Sequence, residues 1–338
     1  MNSNLNDRRG LLIVALGTAF NTALLGLPTA GLSLGLMLSY VLWRKAPWQP
    51  DAKHLFWPYI GGLALFASHF AEEYITEFYV AFPHLFGNSW DARRFVAFNL
   101  IWFGVFAVSA AGIRSGHSLS YLLLIFFALA GGVGNGIAHI AISIWRAQYF
   151  PGAATAPLML AVGLLLLHLL RIPSVLLIAQ GVMFTVLVPG AVVWWIPRNV
   201  IHVDWDIRHL VGWIPVAVGA ALYFWCASQF LLRGKGTPNI SFARHLSFLI
   251  GREPLSLVTS SIYRYSRNPM YVGVLMMIFG EAVLFGSLNL VIYGLVVAIW
   301  FHLVVVFIEE PHLRKTRGEE YLRYCRETPR WLPTSLKP

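Results

Sequence analysis

Long apolar runs separated by short polar clusters account for most of the chain. They lie at 11–43, 55–82, 95–112, 118–145, 156–170, 174–196, 211–232, 270–286 and 289–308. Runs of this length read as membrane-spanning helices. Residues 11–43 are interrupted at Gly26-Leu27-Pro28. As one straight helix they would be about 50 Å long, against a hydrocarbon core of ~30 Å. Two short spans turning at Pro28 are the other option. The last two runs are separated only by Gly286-Ser287-Leu288, which predicts a helix hairpin.

The placement of basic residues chooses between these options. Arg8 and Arg9 precede the first run, and Arg44, Lys45 and Lys53 follow it. Segment 233–267 holds Arg233, Lys235, Arg244, Arg252, Arg264 and Arg267, and the tail 312–338 is also basic. The positive-inside tendency puts all of these in the cytoplasm, so residues 11–43 should cross twice. The expectation is an all-α, polytopic helical membrane protein with about ten spans and both termini cytoplasmic. This scheme leaves Arg93 and Arg94 outside.

Composition agrees. Of 338 residues, 57% are hydrophobic and 12% charged, about half the charged share of a soluble domain. Mean hydropathy is +0.65. The net charge of +10 is read as cytoplasmic loops, because no RNA- or DNA-binding motif accompanies it. Cys226 and Cys325 give neither a disulfide framework nor a metal-binding pair. The charged N-terminus and following apolar run resemble a signal peptide, but the run continues to about Trp43, so it is read as retained. Segment 237–262 interleaves Phe242, Leu246, Phe248, Leu249 and Ile250 with Arg244, His245 and Arg252, as in a helix lying in the membrane interface. Arg171-Ile172-Pro173 marks the expected boundary between two transmembrane domains, 1–172 and 173–338. Motifs before it are intramembrane and acidic, and those after it are basic and at the membrane edge.

The second domain gathers polar chemistry at one mouth of the terminal hairpin. Arg267, Asn268, Pro269, Met270, Tyr271 and Gly273 stand at its start, and Glu309 and Glu310 at its end. Pro269 suits the first turn of a helix, with Asn268 as its cap. Such a start offers free N–H groups to an anion, and Gly273 leaves room for close approach. Pro311 is expected to stop the span and open a further helix through Tyr324. The bland reading is a pair of carboxylates marking a membrane edge. The functional reading is a site for S-adenosylmethionine. That cofactor wants a carboxylate for its ammonium or hydroxyls, a guanidinium for its carboxylate and aromatic walls for its base. Glu309 and Glu310, Arg267 or Arg330, and Tyr271, Tyr321 and Tyr324 supply such a set.

The stretches GKGTP (234–238), YRYSRNPMYVG (263–273), EEPHLRKTRGEEYLRYC (309–325) and PRWLP (329–333) resemble the isoprenylcysteine carboxyl methyltransferases and their prokaryotic relatives, a family related to phospholipid N-methyltransferases. The resemblance covers about 174–334. It implies S-adenosylmethionine as cofactor, held by Arg267, Asn268, Pro269, Met270, Tyr271, Gly273, Glu309 and Glu310, with Tyr321 and Tyr324 in support. It implies Arg267, Glu310 and Arg330 as catalytic, at the cytoplasmic face, with a lipophilic acceptor arriving from the bilayer. A carboxylate acceptor needs no base. A protonated amine needs one, for which Glu310 or a His is the candidate. The chain departs from the family in an extra piece at about 239–252, in Ser261-Ile262 where a glycine is usual, and in Gly318 directly after Arg317. These departures are expected to change the lid over the cofactor and the acceptor.

In the first domain His69, Glu72 and Glu73 share one helix face, Glu77 continues it, and Asn135 and His139 form a second polar face. Ionisable groups at such depth face a bundle interior. The set reads as a metal or acid–base site from His69, Glu72, Glu73 and His139, as a buried polar cluster joining two helices, or as interfacial residues. No second Glu-x-x-His set completes a dinuclear centre. With Tyr149, Pro151 and Gly152, these residues resemble a family named for its HxxEE motif over about 55–170.

The reading is thus a membrane S-adenosylmethionine-dependent methyltransferase with a lipophilic acceptor bearing a carboxylate or amine. The alternatives are a non-catalytic lipid-binding or transport protein, and a metal-dependent enzyme working at the HxxEE residues. Among smaller candidates, His202, Asp204 and Asp206 read as a solvated loop or cation site, His302 as a core histidine, and Glu281 as facing the cofactor cavity or capping a bend.

Overall fold

A computed structural model describes residues 3–45, 52–201, 203, 206–237, 247–251 and 253–332. Most of the extra piece at 239–252, and His202, Asp204 and Asp206's neighbour Trp205, fall outside them. The described residues are helical, with no strand among them. The chain separates into two compact units, 1–179 and 180–338.

Unit 1 begins with a helix hairpin. α1 (Ser3–Leu25) breaks at Gly26, and α2 (Ala30–Lys45) folds back. The Tyr40 hydroxyl donates to Asp7 at 2.6 Å, Arg44 pairs with the same carboxylate at 2.9 Å, and Asn21 donates to Ser33 at 3.3 Å. These contacts, wide at one end and narrow at the other in sequence, fix the antiparallel pairing expected from the break at Pro28. α3 (Ala52–Ile75) and the short α4 (Phe78–His84) follow. Then come α5 (Ala92–Arg114), α6 (Ser118–Phe126), α7 (Asn135–Arg146) and α8 (Ala156–Leu169). Asp91 caps α5 by accepting from the Arg93 and Arg94 amides. α6 and α7 are one continuous helix joined by a π-turn at Phe127–Gly134. Gly132 in that turn lies against Gly163 of α8, so close that a Cβ on Gly132 would sit 2.5 Å from the Gly163 Cα. Leu122, Leu124, Ile125, Phe127, Leu164 and Leu166 are fully enclosed around it.

α9 (Pro173–Pro189) contains the boundary between the units. In unit 2 a π-turn leads into α10 (Ile196–Asn199), then α11 (Trp213–Gln229) and the single-turn α12 (Ser247–Ile250). α13 (Pro269–Phe285) and α14 (Leu288–Val304) form the terminal hairpin, and α15 (Glu310–Glu327) continues from it. α11 and α13 pack antiparallel on a stripe of glycines, Gly219 against Gly273 and Gly212 against Gly280. Small residues let two backbones approach where lipid supplies no hydrophobic drive. Gly286 takes a left-handed φ of 59° to end α13, and the Ser287 hydroxyl caps α14.

Four helices among the described residues are long and apolar enough to cross a bilayer: Ala92–Arg114, Ser118–Arg146, Leu210–Gly234 and Leu288–Glu327. On α14, Ile292, Leu295, Val296, Ile299, Trp300 and Leu303 are exposed. Their spacing makes one continuous apolar stripe of the kind a helix turns to lipid.

Two local expectations are corrected. Glu77 does not extend the His69–Glu73 face. The helix breaks before it, and Glu77 has a left-handed φ of 60°. Pro311 does not stop the last span. A π-turn at Val305–Glu309 widens the helix just where the proline ring would meet the preceding turn, and the helix runs on into α15.

Candidate functional site

The α13–α14 hairpin brings its two ends together. The Tyr271 ring lies on Phe301 with centroids 4.5 Å apart, and its hydroxyl donates to Glu309. The chain after α15 then folds back over the start of α13. The Arg267 amide donates to the Pro329 carbonyl at 3.0 Å, and the Asn268 side chain donates to the Arg330 carbonyl at 3.0 Å. Asn268 therefore ties down the tail and makes no side-chain cap on α13. Pro269 occupies the first turn, as its residue type favours.

Glu310 is the centre of the charge arrangement. It is 3% exposed. Arg330 donates to both its oxygens at 2.6 and 3.0 Å, Arg267 lies 3.2 Å from one and Arg314 3.2 Å from the other. The bond to Glu310 pushes the Arg330 guanidinium above its already high pKa, so it stays charged. A carboxylate bound by three guanidinium groups has no free lone pair for a substrate proton. Glu310 is thus the common partner of Arg267, Arg314 and Arg330.

A cavity of about 300 Å³ opens beside this cluster. Arg267, Asn268, Met270, Tyr271, Glu309, Glu310, Tyr321 and Tyr324 line it. Its apolar wall includes Val192, Tyr223, Phe230, Val274, Phe301 and Val305. Pro269, Gly273 and Arg330 do not line it. Gly273 instead faces α11, where a Cβ would sit 2.8 Å from the Gly219 carbonyl. Arg267 presents a mixed picture. Its Nη1 contacts Cys325 Sγ at 2.7 Å and the Tyr321 hydroxyl at 3.4 Å, while its buried Nε–H has no partner among the described residues. An orphaned guanidinium donor at a cavity wall suits an anionic ligand group.

Several lining residues were not expected. Arg317 donates to the Leu255 carbonyl at 2.9 Å and to the Pro254 carbonyl, pinning the 253–258 segment over the cavity. Glu253 pairs with His312 at 2.5 Å in the same wall. The Tyr324 hydroxyl donates to the Tyr263 carbonyl at 2.7 Å. Tyr263, His312 and Tyr324 lie in the motif stretches of the sequence and Arg317 directly precedes the unusual Gly318, whereas Glu253, Pro254 and Leu255 carried no signal. Glu281 is buried on α13 with one oxygen unpartnered, and it is not part of the cavity wall.

In unit 1, His69 and Glu73 of α3 meet His139 of α7. Glu73 Oε1 lies 3.4 Å from His69 Nε2 and 3.1 Å from His139 Nε2. All three residues are at most 5% exposed. Asn135 reaches both rings, its Nδ2 2.7 Å from His69 Nε2 and its Oδ1 3.1 Å from His139 Nε2. Glu72 does not join them. It points to the 149–155 loop, accepting from the Tyr149 hydroxyl at 2.6 Å, the Ala154 and Thr155 amides at 2.8 Å each, and the Thr155 hydroxyl. Adjacent residues on a helix point about 100° apart, so the two glutamates of one motif serve different partners.

No curated protein and no solved structure matches the chain. Residues 60–166 match the model of a family described as a protein of unknown function with an HXXEE motif, and residues 207–320 match the model of the phospholipid methyltransferase family.

Proposed function

We propose that the protein is an integral membrane methyltransferase that uses S-adenosylmethionine and acts on a lipophilic acceptor carrying a carboxylate or an amine. The observation that carries this reading is the cavity at the base of the α13–α14 hairpin, most of whose lining falls in the segment 207–320 that matches the phospholipid methyltransferase family model. Its donor set fits the cofactor. The unpartnered Arg267 Nε–H suits the cofactor carboxylate, Glu309 its ammonium or ribose hydroxyls, and Tyr271, Tyr321 and Tyr324 the adenine. When bound, the cofactor supplies a methyl group already activated by a positively charged sulfur.

The work left to the protein is alignment and exclusion of water. Glu310 holds Arg267 in place, and Arg330 holds Glu310. Arg330 is a positioning residue in this reading. Arg317 holds the 253–258 segment across the cavity. Glu309 keeps Tyr271 turned toward the same space. If the acceptor is an amine, Glu309 is better placed than Glu310 to take its proton, because among the described residues it accepts from a tyrosine hydroxyl and not from a cluster of guanidinium groups. The about-ten-span topology, cytoplasmic termini and a cofactor entering from the cytoplasm belong to this proposal, as does the division into domains at 172/173.

The test is equilibrium binding of S-adenosylmethionine to the full chain in detergent, followed by incubation of methyl-labelled cofactor with a total membrane lipid extract. Binding that weakens at least tenfold in Arg267→Ala, with label entering a lipid, supports the reading. Well-folded protein that binds no cofactor sinks it. Binding without any labelled product supports a lipid-binding or transport role on an inherited scaffold.

A further inference from the structure

We infer that His69, Glu73 and His139 form a binding site for a divalent transition-metal ion of the zinc class, buried in unit 1. The outer nitrogen of each imidazole is a hydrogen-bond donor. His139 Nδ1 is 2.6 Å from the Pro151 carbonyl oxygen, which only accepts, so Nδ1 carries the hydrogen. His69 Nδ1 is 2.6 Å from the Thr155 hydroxyl, and that hydroxyl spends its own hydrogen on the Glu72 carboxylate. His69 Nδ1 therefore also donates. In the neutral form both Nε2 atoms carry lone pairs and both face Glu73 Oε1; His69 Nε2 then accepts from Asn135 Nδ2 at 2.7 Å, a bond that a bound cation would displace.

Three electron-rich atoms converging in an apolar interior call for a positive charge between them. His69 Nε2, His139 Nε2 and a Glu73 oxygen lie within 4.8 Å of one another. Tetrahedral coordination with bonds of about 2.1 Å puts donor atoms about 3.4 Å apart. The two His–Glu separations, 3.4 and 3.1 Å, are close to that edge. Two imidazoles and one carboxylate are a donor set suited to zinc and its neighbours. Asn135 Oδ1, beside His139, or a water supplies a fourth donor.

The surroundings are those of a held metal site. Outer nitrogens bonded to a backbone carbonyl, and to a carboxylate through a hydroxyl, fix the ring orientation and raise donor strength. Phe78 and Phe150 flank the His139 ring, with centroids 4.9 and 5.9 Å away. Gly152 sits where any side chain would intrude. A Cβ there would be 2.5 Å from His139 and 3.1 Å from His69. The charges also balance, since one divalent ion is matched by Glu73 directly and by Glu72 through Thr155. This matters where an unbalanced charge is costly. The competing occupant is a proton on His139, shared with Glu73.

The experiment uses the full chain purified in detergent, stripped with a chelator and reloaded with zinc or cobalt(II). Elemental analysis is expected to find one zinc per chain. Cobalt(II) is expected to give the intense visible absorption of a four-coordinate site. Glu73→Gln should abolish both. Thr155→Val, which leaves all three ligands intact, should weaken binding about 10- to 100-fold. Folded wild type that takes up neither metal overturns the inference in favour of the shared proton. Weak six-coordinate cobalt absorption, or zinc bound unchanged in Glu73→Gln, overturns it as well. If Glu73→Gln fails to fold, the wild-type cobalt spectrum and the Thr155→Val shift still decide. Neither readout depends on S-adenosylmethionine.

Discussion

Arg330 grips both oxygens of Glu310, Nε to Oε1 at 2.6 Å and Nη2 to Oε2 at 3.0 Å, across 20 positions of sequence. A planar guanidinium makes this two-point contact, and a lysine ammonium does not. Arg330→Lys should therefore keep the charge yet lower cofactor affinity about tenfold, because Arg267 loses the alignment that Glu310 enforces. Glu310→Gln leaves several guanidinium groups around a neutral side chain and should destabilise unit 2 by about 3 kcal/mol. Isothermal titration and thermal unfolding in detergent separate the two effects.

Tyr271→Phe removes one hydroxyl and keeps the ring on Phe301. The lost bond is to a carboxylate, worth about 2 kcal/mol when intact. The unfolding temperature should fall by several degrees, in line with that loss, and cofactor affinity or methyl transfer should fall 10- to 30-fold. An unchanged rate and affinity would show that the Tyr271–Glu309 pair is not part of the binding surface.

Gly273→Ala should act through packing. The added methyl meets the Gly219 carbonyl at 2.8 Å and the Tyr223 amide at 3.1 Å, both backbone atoms that cannot swing aside. An overpacking cost of about 1–3 kcal/mol is expected, seen as a lower unfolding temperature. Cofactor affinity of the molecules that remain folded should stay within a few-fold of wild type.

Arg317→Ala should free the 253–258 segment, which its guanidinium pins through two backbone carbonyls. Hydrogen exchange at residues 253–258 should accelerate, and the cofactor should dissociate faster. Exchange elsewhere in α13 and α14 should be unaffected, which marks the change as local.

Glu72→Gln should loosen the 149–155 loop while leaving α3 formed. A neutral amide cannot accept from all of Tyr149, Ala154 and Thr155. Faster hydrogen exchange in that loop is the expected readout, with α3 protection retained.

The sequence by itself determined most of the long helices and two of their turns. Apolar runs and their breaks located α1 and α2 on either side of Gly26-Pro28, and the hairpin turn at Gly286-Ser287, because span length and turn chemistry are local properties. It also placed His69 and Glu73 one helical turn apart, and Asn135 and His139 likewise, since that spacing follows from 3.6 residues per turn. Local pattern could not say which partners the polar side chains find. Glu72 and Glu73 are neighbours in sequence, yet one anchors a loop and the other meets two histidines, because helix rotation sends them to different neighbours. Gly273 stands in a motif with Tyr271 but faces α11. Arg330 reaches Glu310 only because the tail folds back onto α13 through Asn268 and Arg267. Cys325, an isolated thiol in the sequence, becomes a contact of Arg267 in the folded chain. Most of these pairings join residues far apart in the chain, so tertiary structure alone decided them.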